Sequence, residues 1–196
     1  DVTIVNGALS NFSGSNSDYL FDVTPTSDGL VSIDIAQDAA EDVDGNGNLV
    51  ADQFTIVYDG TAPTVSLSTV ATSPTNDTSF TVQINFSEPM DNFVESDITI
   101  DNASIDSLSG YDSSFTIIVK PIQDGNISIF VDSNAVNDHA GNNNIISNSL
   151  DIYYDNLPPV VSVDAINPIG TTETVEFSWS SLDTSSIDIH IMSITY

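Results

Sequence analysis

The sequence has no cysteine and a single basic side chain, Lys120, in 196 residues. Without cysteine there are no disulfides and no zinc sites of the usual thiolate kind. With one cation the surface cannot neutralise phosphates, which excludes nucleic acid as a partner. The same shortage argues against docking on anionic lipid. No apolar run approaches the roughly 18 residues of a membrane-spanning helix, and no signal peptide is expected in this stretch. Histidine is scarce too. His139 falls in a polar segment and His190 in an alternating one, so both read as solvent-facing rather than as members of a Ser-His-Asp triad. Glycine-rich phosphate loops, zincin motifs and nucleophile elbows are also missing, and the expectation is a protein that is not an enzyme.

What is present is acid. Asp and Glu total 29 for a formal net charge of -28, and Asp outnumbers Glu 24 to 5. High net charge is one mark of disorder, but 40% of the residues are hydrophobic and fall in short alternating runs, which indicates folded strands. Asp, Asn, Ser and Thr without Cys or Lys suit a secreted or cell-surface protein of bacteria. Metal ions are the expected substitute for the disulfides that usually staple small extracellular domains.

The chain repeats itself. A shift of 96 residues aligns 1–68 with 97–164 without a gap, and 24 of the 68 positions are identical. The landmarks include Asp1-Val-Thr-Ile with Asp97-Ile-Thr-Ile, Ser13-Gly14 with Ser109-Gly110, and Asp28-Gly29 with Asp124-Gly125. Asp42 matches Asp138, Gly45-Asn46 matches Gly141-Asn142, and Tyr58-Asp59 matches Tyr154-Asp155. Within one period seven short segments read as strands, among them Phe80–Phe86, Phe115–Val119 and Asn126–Val131, separated by Asp-Gly, Ser-Gly and Gly-Asn-Asn breaks. The predicted fold class is all-β: tandem immunoglobulin-like Greek-key β-sandwiches in a linear array. The expected organisation is the later five strands of one unit in 1–62, a complete unit in 63–156, and the start of a divergent third in 157–196. In that third unit Val175-Glu-Phe-Ser-Trp179 leaves the register, matching Val82, Ile84 and Phe86 at a shift of 93.

Alternating strand direction sends the loop Ser87–Asp91 and the loop Asp138–Asn144 to one pole, where the linker Tyr58–Pro63 also arrives. Asp59, Glu88, Asp91, Asp138, Asn142 and Asn144 are therefore expected to converge at a domain junction. Calcium takes six to eight oxygens from carboxylates, amides and backbone carbonyls, so it is the expected ligand. Against this stands a simpler view, since Asp, Asn and Gly are ordinary turn residues. In the first copy, Asp42-Val-Asp44-Gly-Asn46-Gly-Asn48 matches the first half of an EF-hand loop, yet Gln53 stands at its twelfth position and no helices flank it. A calcium loop built on Asp42, Asp44, Asn46 and Asn48 without the EF-hand is the expectation there. Ala140 replaces Asp44 in the second copy, so the two sites need not bind equally well.

Four elements together resemble bacterial Ig-like repeats of large surface adhesins, including those of the RTX type. They are Phe86-Ser-Glu-Pro89, Asp97-Ile-Thr-Ile100, Asp138-His-Ala-Gly-Asn142 and Asp59-Gly-Thr-Ala-Pro63. The resemblance covers about 1–160 and implies an extender role, with calcium at the linkers in several relatives. The first unit carries Asp44-Gly-Asn46 in place of Ala-Gly-Asn, and the third lacks the Ser-Glu-Pro element, which weakens Asp155 as a metal residue. The expected function is a structural extender of an extracellular adhesin whose partners are neighbouring repeats of the same chain. The alternatives are a module binding glycan, ice or a host protein, accessory domains of a secreted enzyme, and a filament in which copies exchange strands.

Overall fold

Alternation along the sequence becomes a two-sheet sandwich. The computed structural model describes residues 1–159 together with 161–163 and 179–181. In the first unit lie β1 (Val2–Val5), β2 (Gly7–Ser15), β3 (Asp18–Pro25), β4 (Gly29–Ile35) and β5 (Phe54–Tyr58). The second unit has β6 (Val65–Thr69), β7 (Phe80–Phe86), β8 (Met90–Asp91), β9 (Ile98–Asp101), β10 (Ala103–Tyr111), β11 (Ser114–Pro121), β12 (Gly125–Val131), β13 (Asn137–Asp138) and β14 (Leu150–Tyr154). A 3-10 turn, Glu95–Asp97, leads into β9. The second unit forms one sheet in the order β10-β11-β7-β6 and another in the order β14-β12-β9, all antiparallel. These are the four-plus-three strands of a constant-type immunoglobulin sandwich.

Phe80, Val82, Ile84 and Phe86 point inward from β7 while Thr81, Gln83 and Asn85 face water, as a period of two requires. Val82, Ile84, Ile117, Val119, Ile127, Ile129 and Val131 are fully buried between the sheets. Each such side chain stabilises the fold by about 1.5–3 kcal/mol relative to exposure. Phe86, Phe93 and Phe115 close one end of this core, with ring centroids 4.9–6.0 Å apart. The first and last strands of the unit are also joined across its edge. Asn148 accepts from the Leu67 amide (2.8 Å) and donates to the Leu67 carbonyl (3.0 Å), standing in for a strand partner. Thr75, which follows β6, bridges β14 in parallel: its amide donates to the Tyr153 carbonyl (2.9 Å) and its carbonyl accepts from the Asp155 amide (3.0 Å).

The repeat seen in the sequence recurs in the backbone. β1 to β5 superpose in numbering on β9, β10, β11, β12 and β14 at the same shift of 96. Left-handed conformations recur in step: Asn6 with Asn102, Asn16 with Asp112, Asp38 with Asn134, and Gly45 with Gly141. Residues 1–58 contain no counterparts of β6 and β7. Phe54 and Ile56 of β5 are accordingly exposed, whereas Ile152, the counterpart of Ile56, is buried. Of the third unit, β15 (Val161–Val163) and β16 (Trp179–Ser181) pair antiparallel, with Val163 opposite Trp179. The rest of the expected third unit, His190 included, lies outside the described residues.

Candidate metal centre

The loop between β12 and β14 is shaped by its own aspartate. Asp138 Oδ1 accepts from the amides of Ala140 and Asn142, both at 2.8 Å, and Oδ2 accepts from Asn142 Nδ2 at 3.0 Å. Gly141 sits at φ 92°, where a Cβ would be strained, so the turn requires glycine. The first unit builds the same loop on Asp42, whose Oδ1 accepts from the Asp44 and Asn46 amides at 2.9 Å, with Gly45 at φ 81°. Opposite the second loop, Met90 of β8 pairs with Asp138 of β13, and buried Met90 and Phe93 anchor the segment carrying Glu88. The linker is held from the same side: Asn142 Nδ2 donates to the Asp59 carbonyl (3.1 Å), and the Ile145 amide to the Pro63 carbonyl (2.9 Å).

These constraints bring Asp59, Glu88 and Asp138 together, with carboxylate oxygens within 4.8 Å of one another. Asp138 is buried and the other two are half-buried. Three acids so close repel, and at Glu88 that repulsion adds to burial. Glu88 is pushed above the usual carboxylate range by burial, by the charges of Asp59 and Asp138, by a hydrogen bond with Asp59 and by the charge of Asp28. For Asp138, burial acts in the upward direction, but the hydrogen bonds from Asn142, Ala140 and Gly141 together outweigh it and hold the carboxyl below its ordinary value.

The remaining expected ligands stand elsewhere. Asp91 pairs with Asn137 across the β8–β13 bridge, its carboxylate 3.1 Å from His139 Nε2. Asn144 is buried and fully engaged: Oδ1 accepts from the Ala135 and Val136 amides, and Nδ2 donates to the Asp132 and Ile145 carbonyls. Its side chain pins the loop from within. Asn48 does the same in the first unit, bonding to Ala36, Ala40 and Leu49. Asp42 is exposed and closes its own turn with Asn46, while Asp44 takes part through its backbone amide. Asp155 accepts from the Leu157 amide (3.1 Å) and lines a cleft with Thr72, Thr75, Asp77 and Asn156. Among the described residues, Asp59, Glu88 and Asp138 form the one group of three or more acids spaced to share an ion.

One junction residue escapes the sequence reading. Asp28, in the turn between β3 and β4, accepts from the Gly60 amide at 2.7 Å and from the Thr61 hydroxyl. These hydrogen bonds hold its carboxyl below the ordinary range, the one from Thr61 contributing most. Asp124 repeats the contact on the Asn156 amide at 2.8 Å. The recurrence of Asp28-Gly29 as Asp124-Gly125 was visible as a turn signal, but its partner 32 residues away was not.

Two sheets in constant-type order, with an acidic junction at one pole, define an immunoglobulin-like module. Residues 59–154 match the family model described as a bacterial Ig-like domain. Domains of that family are typical of surface and extracellular proteins, and their fold is of a non-catalytic type. No helix among the described residues is long and apolar enough to cross a membrane. No curated protein matches the chain.

Proposed function

We propose that the chain is an extender segment of a large bacterial surface or secreted adhesin, with calcium stiffening the junctions between its Ig-like units. The observation that carries this reading is the meeting of Asp59 from the linker with Glu88 and Asp138 from the following domain. All three donors are carboxylate oxygens, the hard ligands that calcium prefers, and neither thiolate nor imidazole stands in the group to favour zinc. A divalent cation there offsets the burial and the repulsion that together raise Glu88, and ties linker to domain. Asn142 holds the linker carbonyl in place. Extracellular calcium modules bind at roughly 0.1–1 mM, a range that fills outside cells.

The test is thermal melting in millimolar calcium and in chelator, with small-angle scattering under both conditions. Calcium is expected to raise the melting temperature and narrow the distribution of interdomain angles. Identical melting and scattering in the two buffers would sink the reading. Exposed Phe54 and Ile56 favour a second possibility, strand exchange between copies. A molar mass in solution equal to that of a single chain at all concentrations rules it out for this segment.

A further inference from the structure

We propose that Asn46 is a site of spontaneous deamidation, in which the backbone nitrogen of Gly47 displaces the side-chain amide. The sequence has two Asn-Gly pairs, Asn6-Gly7 and Asn46-Gly47, and the fold treats them differently. Glycine leaves the attacking nitrogen unhindered because it has no side chain. At the first pair the amide is tied down on both atoms. Asn6 Nδ2 donates to the Ser27 carbonyl (2.8 Å), and its Oδ1 accepts from Thr26 (3.0 Å) and Ser27 (2.7 Å).

Asn46 and Gly47 are exposed in the loop between β4 and β5. Asn46 is held through Nδ2 on Asp42 Oδ2 (2.9 Å), while its Oδ1 meets no donor among the described residues. Gly47 stands opposite Glu41 at a position where the flanking residues make the backbone bonds: Asp42 N to Asn46 O, and Asn48 N to Ala40 O. The Gly47 N–H therefore has no acceptor among the described residues and is open to solvent base. A Cβ at Gly47 would fall 2.1 Å from Asp38 Oδ1 and 3.1 Å from its Cα, so a side chain there requires Asp38 to shift. The matching loop of the second unit has Asn142-Asn143, whose second side chain hinders the same attack.

The chemistry balances with water as the co-reactant. The Gly47 nitrogen loses its proton to solvent base and bonds to Asn46 Cγ. The Cγ–Nδ2 bond breaks and ammonia leaves with the proton it needs. Water then opens the succinimide at either carbonyl, giving aspartate or isoaspartate. Either product replaces a donor to Asp42 with a carboxylate, so a hydrogen bond becomes a like-charge contact and the turn loosens.

The test is incubation of the 196-residue chain in mildly alkaline buffer, then chymotryptic digestion and electron-transfer mass spectrometry, which separates aspartate from isoaspartate. Conversion is expected at residue 46 ahead of Asn6 and Asn142, and several-fold faster in Asp42→Ala, which frees the amide. Asn46→Gln is expected to remove the leading product. Earlier conversion at Asn6 or Asn142, or an intact residue 46 in the folded chain when the urea-unfolded chain converts, overturns the proposal.

Discussion

Asn142 donates its side-chain amide to the backbone carbonyl of Asp59 across 83 residues of sequence, at 3.1 Å. The same nitrogen reaches Asp138 Oδ2 at 3.0 Å, so one amide fixes both the linker and the buried acid beside it. Asn46, its counterpart in the first unit, makes only the intraloop bond to Asp42.

Removing that amide has a calculable effect. Asn142→Ala loses two hydrogen bonds, one of them to an ionised group, and is expected to destabilise the second unit by about 2 kcal/mol. Chemical denaturation measures it. Asn46→Ala, which breaks an exposed turn bond, is expected to shift the midpoint far less.

Glu88 should reverse the usual acid response of the junction. Its folded-state carboxyl titrates above its unfolded value, so the stability tied to its proton is present at low pH and is lost as pH rises through the raised folded value. Asp138 is held low, so its contribution is present above the unfolded carboxylate value and lost as pH falls further. In chelator, Glu88→Gln is expected to melt higher than wild type at neutral pH and to lose the wild-type gain from calcium. Melting curves across pH in chelator and in calcium check both halves. A variant that still gains fully from calcium would remove Glu88 from the site.

Asp28 and Asp124 should act on linkers rather than on cores. Asp28→Ala is expected to leave the melting temperature of the second unit nearly unchanged but to speed hydrogen exchange at the Gly60 amide, its partner. Asp124→Ala should do the same at Asn156. Amide exchange read residue by residue distinguishes this from general loosening.

Core truncation should be costly in one unit and milder in the other. Ile129 is fully buried, and Ile129→Ala is expected to cost about 2–5 kcal/mol. Ile33, its counterpart, is only half-buried because nothing in 1–58 occupies the places of β6 and β7, so Ile33→Ala should cost distinctly less. Denaturant titrations of the two variants give the comparison.

Much of the fold was legible because burial on one face of a strand writes a period of two, as in Phe80–Phe86, and because the repeat supplied the phase for the rest. The two-residue strands β8 and β13 were not legible. They are defined by each other, Met90 opposite Asp138, and carry no local pattern. Convergence of Asp59, Glu88 and Asp138 followed from strand count and loop polarity alone, without reference to contacts. Asn144 shows where that reasoning stops. An asparagine in an acidic loop looks like a ligand, yet burial turns all its hydrogen-bonding capacity onto backbone groups nearby. Asp28 fails in the opposite sense, since a turn aspartate gives no local sign that it caps a linker.

The bridge from Thr75 to β14 has a mechanical consequence. When the chain is pulled by its two ends, tension enters along β6 and leaves along β14. Each lies lengthwise along its one ladder neighbour, β6 on β7 and β14 on β12, so their bonds are loaded in shear, together rather than one after another. The parallel contacts of Thr75 with Tyr153 and Asp155 sit where the departing strand would first slide. Asn148 on Leu67 resists the same displacement at the other sheet edge. A domain fastened in this way yields to traction abruptly and at high force, instead of unzipping from one end.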